Sequence, residues 1–170
     1  MKNVFFIIDC SGSIVSDDIV RIGQVNDLLR DSIDKCTAKG AKSINVVCYS
    51  DNAKIFWKSS DKNIFCDIPD EEFKGRSNLG KAYVFLKKHI DASKLSLSDC
   101  VLALISDGEA TDNYRRDLQI LDPDNKAARI AFTIGATYLT TERHASDDSL
   151  LFKGGLKDRE SFVDRLGDIV

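Results

Sequence analysis

Apolar positions along the chain alternate between short continuous runs and longer stretches with helical spacing. The continuous runs at 4–8 and 100–105 are typical of strands buried on both faces of a sheet, and 44–49, with Asn45 as its one polar residue, is also predicted as a strand. Apolar residues recur at helical spacing between Ile19 and Cys36 and between Leu79 and Ile90. This alternation predicts an α/β fold, in which helices cover both faces of a mostly parallel central sheet.

One connection is too short for a parallel arrangement. The run that ends at Tyr49 is followed by the turn-like Ser50-Asp51-Asn52 and then by a second strand pattern, 53–57. Strands joined this closely form an antiparallel hairpin, because a parallel return needs a long crossover. The sequence therefore predicts one antiparallel edge strand in the sheet.

The first helix carries signals at both ends. We expect Ser16 to cap it, with Asp17 and Asp18 in its first turn. Gly40 is expected to end it.

Three further elements are predicted in the second half of the chain. They are a short helix at 114–121, a strand at 129–134 and a C-terminal helix through Ile169. Residues 136–157 carry no pattern that predicts an element.

Composition narrows the class of protein. A chain of 170 residues can bury one sizeable core, so we expect a single domain over residues 1–170. Hydrophobic residues make up 43% and charged residues 30%, which is typical of a globular domain. The net charge is −3, and Lys and Arg are scattered, so no nucleic-acid surface is predicted.

The expected compartment is the cytoplasm. No stretch approaches the roughly 20 apolar residues needed to cross a bilayer, and the apolar run before Asp9 is too short for a signal peptide. The five cysteines include no C-x-x-C pair, which argues against a zinc site. We expect reduced thiols in a soluble protein without a membrane partner.

Three polar loops stand at strand ends or helix starts. They are Asp9-x-Ser11-x-Ser13, Gly75–Gly80 with Ser77 inside it, and Asp107-Gly108. Ligands of parallel sheets bind at the carboxyl ends of the strands, so the fold can bring these loops to one edge. Hard oxygen groups on tight turns suit a small hard cation such as Mg²⁺.

With these loops the chain resembles the von Willebrand factor A domain family. The metal-ion-dependent adhesion site of that family is written D-x-S-x-S, then a Thr, then an Asp. Asp9, Ser11 and Ser13 match its first part, and Asp107 matches its third. Ser77 stands where the family usually has Thr. The serine keeps the hydroxyl of Thr and lacks its methyl group. The resemblance covers nearly the whole chain, since the element order and the hairpin also fit a Rossmann-like domain of this type.

The resemblance implies a role for each of these residues. Ser11, Ser13 and Ser77 would be direct ligands, while Asp9 and Asp107 would bind through waters, or one of them directly. The metal would be Mg²⁺, with Mn²⁺ or Ca²⁺ as alternatives. A carboxylate of a protein partner would complete the metal's coordination, which makes the domain a non-enzymatic interaction module.

A narrower similarity is to the bacterial tellurium-resistance (TerY-like) members. The segments that carry it are Gly75–Gly80 and Asp107–Asp112. Those members are intracellular and often occur together with a kinase and a phosphatase. The similarity therefore implies a stress-response setting and kinase or phosphatase partners.

Enzymatic alternatives find less support in the residues. Gly75 to Lys81 spells G-x-x-x-x-G-K, but Ala82 stands where a Walker loop needs Ser or Thr, and no strand pattern precedes the loop. A phosphatase with Asp9 as nucleophile would need a second carboxylate where Ser11 stands.

The other candidate functional residues can be explained by structural or surface roles. Neither His89 nor His144 has a nucleophile nearby in sequence, and no G-x-S-x-G motif is present. Glu109 and Asp112 fit a solvated acidic loop that caps the next helix, and Arg76 fits a solvated surface position. A structural scaffold with a vestigial site also remains open.

Overall fold

The structure is a computed structural model, and it describes most of the chain. The described residues are 1–15, 20–61, 63–135, 139–154 and 156–170. The expected cap and first turn of the first helix, Ser16 with Asp17 and Asp18, lie outside the described residues, as does Ile19.

Six strands form one sheet in the order β3-β2-β1-β4-β5-β6. The strands are β1 Asn3–Asp9, β2 Ser43–Tyr49, β3 Ala53–Lys58, β4 Cys100–Ser106, β5 Ala128–Thr133 and β6 Leu151–Phe152. Every neighbouring pair is parallel except β2 and β3, which form an antiparallel hairpin. The prediction of a mostly parallel sheet with one antiparallel edge strand is confirmed.

Five helices accompany the sheet in the described part of the chain. They are α1 Val20–Ala38, α2 Leu79–Ala92, α3 Tyr114–Leu121, α4 Leu139–His144 and α5 Leu156–Ile169. Among the described residues, no helix is both long enough and apolar enough to span a membrane.

The core lies on both faces of the sheet. All seven residues of β1 are buried, and its side chains alternate between the two faces. Phe6 packs with residues of α1 and α5, whereas Phe5 packs with residues of α2 and α3. Helices therefore cover both faces, as the continuous apolar runs predict.

Two elements, α4 and β6, were not foreseen from the sequence, and both fall within residues 136–157. Helix α4 has no apolar stripe, because three of its buried positions are the polar residues Thr140, Thr141 and His144. Their polar groups are satisfied internally: the Thr140 hydroxyl donates to the Gly108 carbonyl at 2.7 Å, and the Thr141 and Thr133 hydroxyls lie 2.6 Å apart. Hydrophobic periodicity cannot detect such a helix.

His144 anchors α4 as a neutral side chain. Its Nδ1 accepts a hydrogen bond from the Tyr83 hydroxyl at 2.7 Å, and its Nε2 donates to the Leu102 carbonyl at 3.0 Å. Burial of the ring lowers its pKa to about 3, with the charge of Arg129 as a smaller cause in the same direction. This histidine is a packing residue, as the sequence suggested.

All five cysteines are free thiols. Cys10, Cys36, Cys48 and Cys100 are buried, and Cys66 is exposed. Burial raises the pKa of Cys36 to about 12 and that of Cys100 to about 11, which keeps both thiols protonated and unreactive near neutral pH.

Candidate metal centre

The three polar loops meet at the carboxyl edge of the sheet. Asp9 is the last residue of β1, and Asp107 directly follows β4, its parallel neighbour. The strand β2 lies on one side of β1, and β4 lies on its other side. The direction in which strands are added to the sheet therefore reverses at β1. Such a reversal is where ligands of open α/β sheets bind.

The carboxylate of Asp9 holds the loops together. Its Oδ2 accepts hydrogen bonds from the Ser77 hydroxyl at 3.0 Å and from the Ser106 hydroxyl at 2.8 Å. Its Oδ1 accepts from the backbone N–H of Ser11 at 3.0 Å. Asp9 is fully buried, and its hydrogen bonds join the first loop to Ser77 of the second and to Ser106, which directly precedes Asp107.

Backbone contacts join the first loop to the second. The N–H of Gly12 donates to the Gly75 carbonyl at 3.0 Å, and the Ser11 and Ser13 hydroxyls lie 2.9 Å apart beside this junction. Gly75 has a φ of +82°, and a Cβ there would lie 2.8 Å from Cγ of Asp51. Only glycine fits this close approach without strain.

The third loop is tied to the second through Thr111. The Ser77 carbonyl accepts from the Thr111 N–H at 2.8 Å and from its hydroxyl at 3.1 Å. The same hydroxyl lies 3.0 Å from Oδ1 of Asn78. The backbone of Ser77 is thereby fixed while its hydroxyl faces Asp9.

Asp112 caps a different helix from the one expected. Its carboxylate accepts from the N–H groups of Gly80 at 3.0 Å and Lys81 at 3.3 Å, both in the first turn of α2. The residue at the N-cap position of α2, Asn78, makes no capping bond of its own. The first N–H groups of a helix have no partner within the helix, and here the Asp112 carboxylate accepts hydrogen bonds from two of them. The expectation that Asp112 caps the following helix is wrong.

Charge is the distinctive property of the centre. Burial raises the pKa of Asp9, and the negative charge of Asp107 raises it further. Asp107 is itself only 7% exposed. No Lys, Arg or His of the described residues forms an ion pair with either carboxylate. Buried charges are normally paired or bound to metals, so this pair is short of positive charge.

The donor set fits a small hard cation. Two carboxylates and the hydroxyls of Ser11, Ser13 and Ser77 are all oxygen groups, which Mg²⁺ prefers. Within the described part of the chain, no three His, Cys, Asp or Glu side chains cluster to hold a metal. A cation here would therefore depend on hydroxyls and waters as much as on carboxylates.

Two residues of the centre were not foreseen. Ser106 and Tyr49 end the strands on either side of β1, and the register places both beside Asp9. The Tyr49 hydroxyl is buried beside the Ser77 and Ser106 hydroxyls without a hydrogen bond of good geometry. Burial raises the pKa of Tyr49 well above its usual value, and the charge of Asp9 adds to this. Their place in the centre could be recognised only from the strand order, because both residues align with Asp9 across the sheet.

The segment that resembles a phosphate-binding loop has a structural role. The Lys81 ammonium donates to the Asp51 carbonyl at 2.6 Å, and the Arg76 N–H donates to Oδ1 of Asp51 at 3.2 Å. Among the described residues, no strand lies between β3 and this loop, so the strand–loop–helix context of such a motif is missing there. The Arg76 side chain is exposed, as expected.

Comparison with known proteins gives the family. Residues 3–152 match the family model of the von Willebrand factor type A domain. No curated protein matches the chain in sequence.

Solved structures share the fold at low sequence identity. Proximal thread matrix protein 1 of the mussel byssus is 16% identical, with a TM-score of 0.73 over 99% of this chain and 48% of its own. A von Willebrand factor type A protein of Catenulispora acidiphila is 17% identical, with a TM-score of 0.70 over 99% of this chain and 42% of its own. The manganese-loaded TRAP protein of Plasmodium vivax is 11% identical, with a TM-score of 0.75 over 98% of this chain and 73% of its own.

The chain spans about half the length of the first two of these proteins. Domains of the matched family often mediate protein interactions, in some cases through a bound metal ion. From the family match and the shared fold, the chain belongs to the von Willebrand factor type A domain family.

Proposed function

We propose that this domain is a metal-dependent protein-interaction module. The metal ligands would be Asp9, Ser11, Ser13, Ser77 and Asp107. The observation that carries the proposal is the buried Asp9–Asp107 pair, whose like charges have no cationic side chain as partner among the described residues. A bound divalent cation would supply the missing positive charge.

The composition of the site favours binding of a partner carboxylate. Hydroxyl ligands are neutral, so few direct carboxylates would leave Mg²⁺ with residual charge and with waters that can be exchanged. Ser11 and Ser77 are buried at the carboxyl edge of the sheet, and Ser13 is half-buried there. Asp9 accepts hydrogen bonds from the Ser77 hydroxyl and from the Ser11 N–H, and the Ser11 and Ser13 hydroxyls lie 2.9 Å apart. An Asp or Glu of a partner protein is the matching ligand. Mn²⁺ and Ca²⁺ take the same oxygen ligands and remain alternatives.

We propose binding without turnover. Two groups that a catalyst could use are held in structural hydrogen bonds: His144 contacts Tyr83 and Leu102, and Lys81 contacts Asp51. The cellular setting that we propose is the cytoplasm, in a tellurium-resistance or stress-response system. Kinase or phosphatase partners would follow from the similarity to the tellurium-resistance members.

Affinity capture from lysate of the native cell tests this function, with parallel samples in Mg²⁺ and in EDTA. We expect a partner that is retained in Mg²⁺, released by EDTA and not captured by Asp9→Asn. The matched control is Asp124→Asn, because Asp124 is an exposed aspartate paired with Lys126 at 2.8 Å. Equal capture in Mg²⁺ and EDTA, or by wild type and Asp9→Asn, would contradict the metal bridge and favour a scaffold role.

A further inference from the structure

A second concave site lies between α3, α4 and the start of β5. It is a cavity of about 310 Å³. Its lining includes three arginines, Arg115 of α3, Arg129 of β5 and Arg143 of α4, and one acidic residue, Asp122. Three guanidinium groups therefore face one carboxylate in this lining, although the net charge of the domain is −3.

The buried arginine is already neutralised. Arg129 is 6% exposed and forms an ion pair with Asp122. Its Nε donates to the His144 carbonyl at 2.8 Å, and its Nη2 donates to Oδ1 of Asn125 at 2.9 Å. This network fixes the wall of the cavity and contributes no net charge.

The other two arginines keep their charge. Arg115 and Arg143 are exposed, and neither forms an ion pair with any residue that the structure describes. Three acids that do not line the cavity lie next to lining residues in sequence: Asp117, Asp124 and Glu142. Asp117 lies beside Gly80 of α2. Asp124 pairs with Lys126 at 2.8 Å, and Glu142 pairs with Lys153 at 3.6 Å. The cavity therefore carries two uncompensated positive charges.

We propose that this cavity is a binding site for a phosphoryl group. A phosphoryl group carries a charge of about −1.5 to −2 near neutral pH, which matches the two free guanidinium groups. Guanidinium groups bind such oxyanions through paired N–H donors. Asn125 adds a further donor, because its Oδ1 accepts from Arg129 and its amide N–H₂ makes no hydrogen bond among the described residues. A carboxylate would leave one arginine uncompensated.

The site is continuous with the surface beside the candidate metal centre. Tyr114 and Arg115 line both the cavity and the open groove formed by residues 108–115 with Thr140. A phosphorylated segment of a protein partner could thus occupy both sites. This link to a partner rests on the proposed function, whereas the phosphoryl site does not need the metal.

Nuclear magnetic resonance of the ¹⁵N-labelled chain tests the site directly. The probes are inorganic phosphate and phosphoserine amide, each titrated in EDTA at pH 7.5 and constant ionic strength. The test variant carries both Arg115→Gln and Arg143→Gln. The matched control is Arg116→Gln, because Arg116 is an exposed arginine of α3 that does not line the cavity. The signals to follow are the backbone N–H groups of the lining residues and the side-chain N–H₂ of Asn125, which wild type and all variants share.

We expect saturable shifts of these signals with at least one probe. The double variant should bind about tenfold or more weakly, since each lost contact is a charge-assisted hydrogen bond. Arg116→Gln should bind as wild type does. Tighter binding of phosphoserine amide would identify a protein-borne phosphoryl group, and tighter binding of phosphate a free one. Shifts with neither probe, or equal affinity of wild type and the double variant, would overturn the proposal. Because EDTA is present throughout, that failure would leave the metal-dependent capture unaffected.

Discussion

The Ser77 hydroxyl donates a hydrogen bond to Oδ2 of Asp9 at 3.0 Å, although 68 positions separate the two residues. This bond joins the end of β1 to the segment that precedes α2. It also places a hydroxyl beside a buried carboxylate whose pKa is raised by burial and by the charge of Asp107. The contact between these two residues is the core of the proposed metal centre.

Ser77→Ala should weaken Mg²⁺ binding. It removes a proposed ligand and a hydrogen bond to a charged group, which contributes about 1.5–3 kcal/mol. In thermal unfolding, we expect the rise of Tm caused by Mg²⁺ in wild type to shrink or vanish. Ser77→Thr should preserve that rise, since the hydroxyl remains.

Ser106→Ala is the matched control for Ser77→Ala. It removes the other hydroxyl that bonds to Oδ2 of Asp9 but no proposed ligand. Both variants should lose stability in EDTA, and only Ser77→Ala should lose the response to Mg²⁺. An equal response of the two variants to Mg²⁺ would argue against Ser77 as a ligand.

Asp9→Asn should separate the metal response from the stability of the fold. In the folded protein the pKa of Asp9 is raised above its usual value. The charged carboxylate therefore lowers the stability of the fold at any pH above the pKa of Asp9 in the unfolded chain, which is about 4. In EDTA at pH 7, the neutral amide should therefore cost no more than about 1 kcal/mol in urea unfolding. In Mg²⁺, the variant should gain no stability. A large loss of stability in EDTA would show that the Asp9 carboxylate serves the fold itself.

Two of the helical glycines, Gly23 and Gly80, should respond oppositely to alanine. In α1, a Cβ at Gly23 would meet nothing within 4 Å, so Gly23→Ala should raise the free energy of unfolding by up to about 1 kcal/mol. In α2, a Cβ at Gly80 would contact the Asp117 carboxylate and lie 2.8 Å from Oδ2 of Asp112. Since Asp112 caps this helix, Gly80→Ala should lower stability by about 1 kcal/mol or more despite the better helix propensity. Urea unfolding of both variants checks the signs.

Stability should fall in acid because of His144. Its pKa is about 3 in the folded protein and about 6.5 when unfolded, so its contribution is complete above pH 6.5. Below that pH, the unfolded state takes up a proton that the folded state excludes. This one group therefore removes about 1.4 kcal/mol per pH unit down to about pH 3.

Replacement of the two histidines isolates this effect. His144→Phe should be less stable at pH 7, because the Tyr83 hydroxyl and the Leu102 carbonyl lose their partner. Its stability should also fall less steeply between pH 6.5 and 4 than that of wild type. The control for the loss of an imidazole is His89→Phe, at a partly exposed position. An unchanged slope in His144→Phe would contradict the assignment.

The sequence foresaw those parts of the fold that hydrophobic patterns encode. The buried strand β1 was predicted from its continuous apolar run, and a short helix was predicted at 114–121, where the structure has α3. The hairpin of β2 and β3 followed from a connection too short for anything else. These elements depend on neighbours along the chain, which is the information a single sequence carries most directly.

What escaped the sequence depends on distant partners. Thr141 and His144 are buried in α4 through hydrogen bonds to β5, to α2 and to the Leu102 carbonyl, so their polarity concealed the helix. Asp112 caps α2 because the tertiary fold brings it there, not because of its place before α3. Ser106 joins the centre only through its register with β1. Such roles follow from strand order and loop packing, which local patterns do not specify.

Crystals soaked in Mn²⁺ would test the central claim most directly, because Mn²⁺ prefers the same oxygen ligands as Mg²⁺ and scatters anomalously. The account predicts one anomalous peak within coordination distance of the Ser11, Ser13 and Ser77 hydroxyls and next to the Asp9–Asp107 pair, absent from Asp9→Asn. No peak at this edge of the sheet, or a peak that persists in Asp9→Asn, would contradict it.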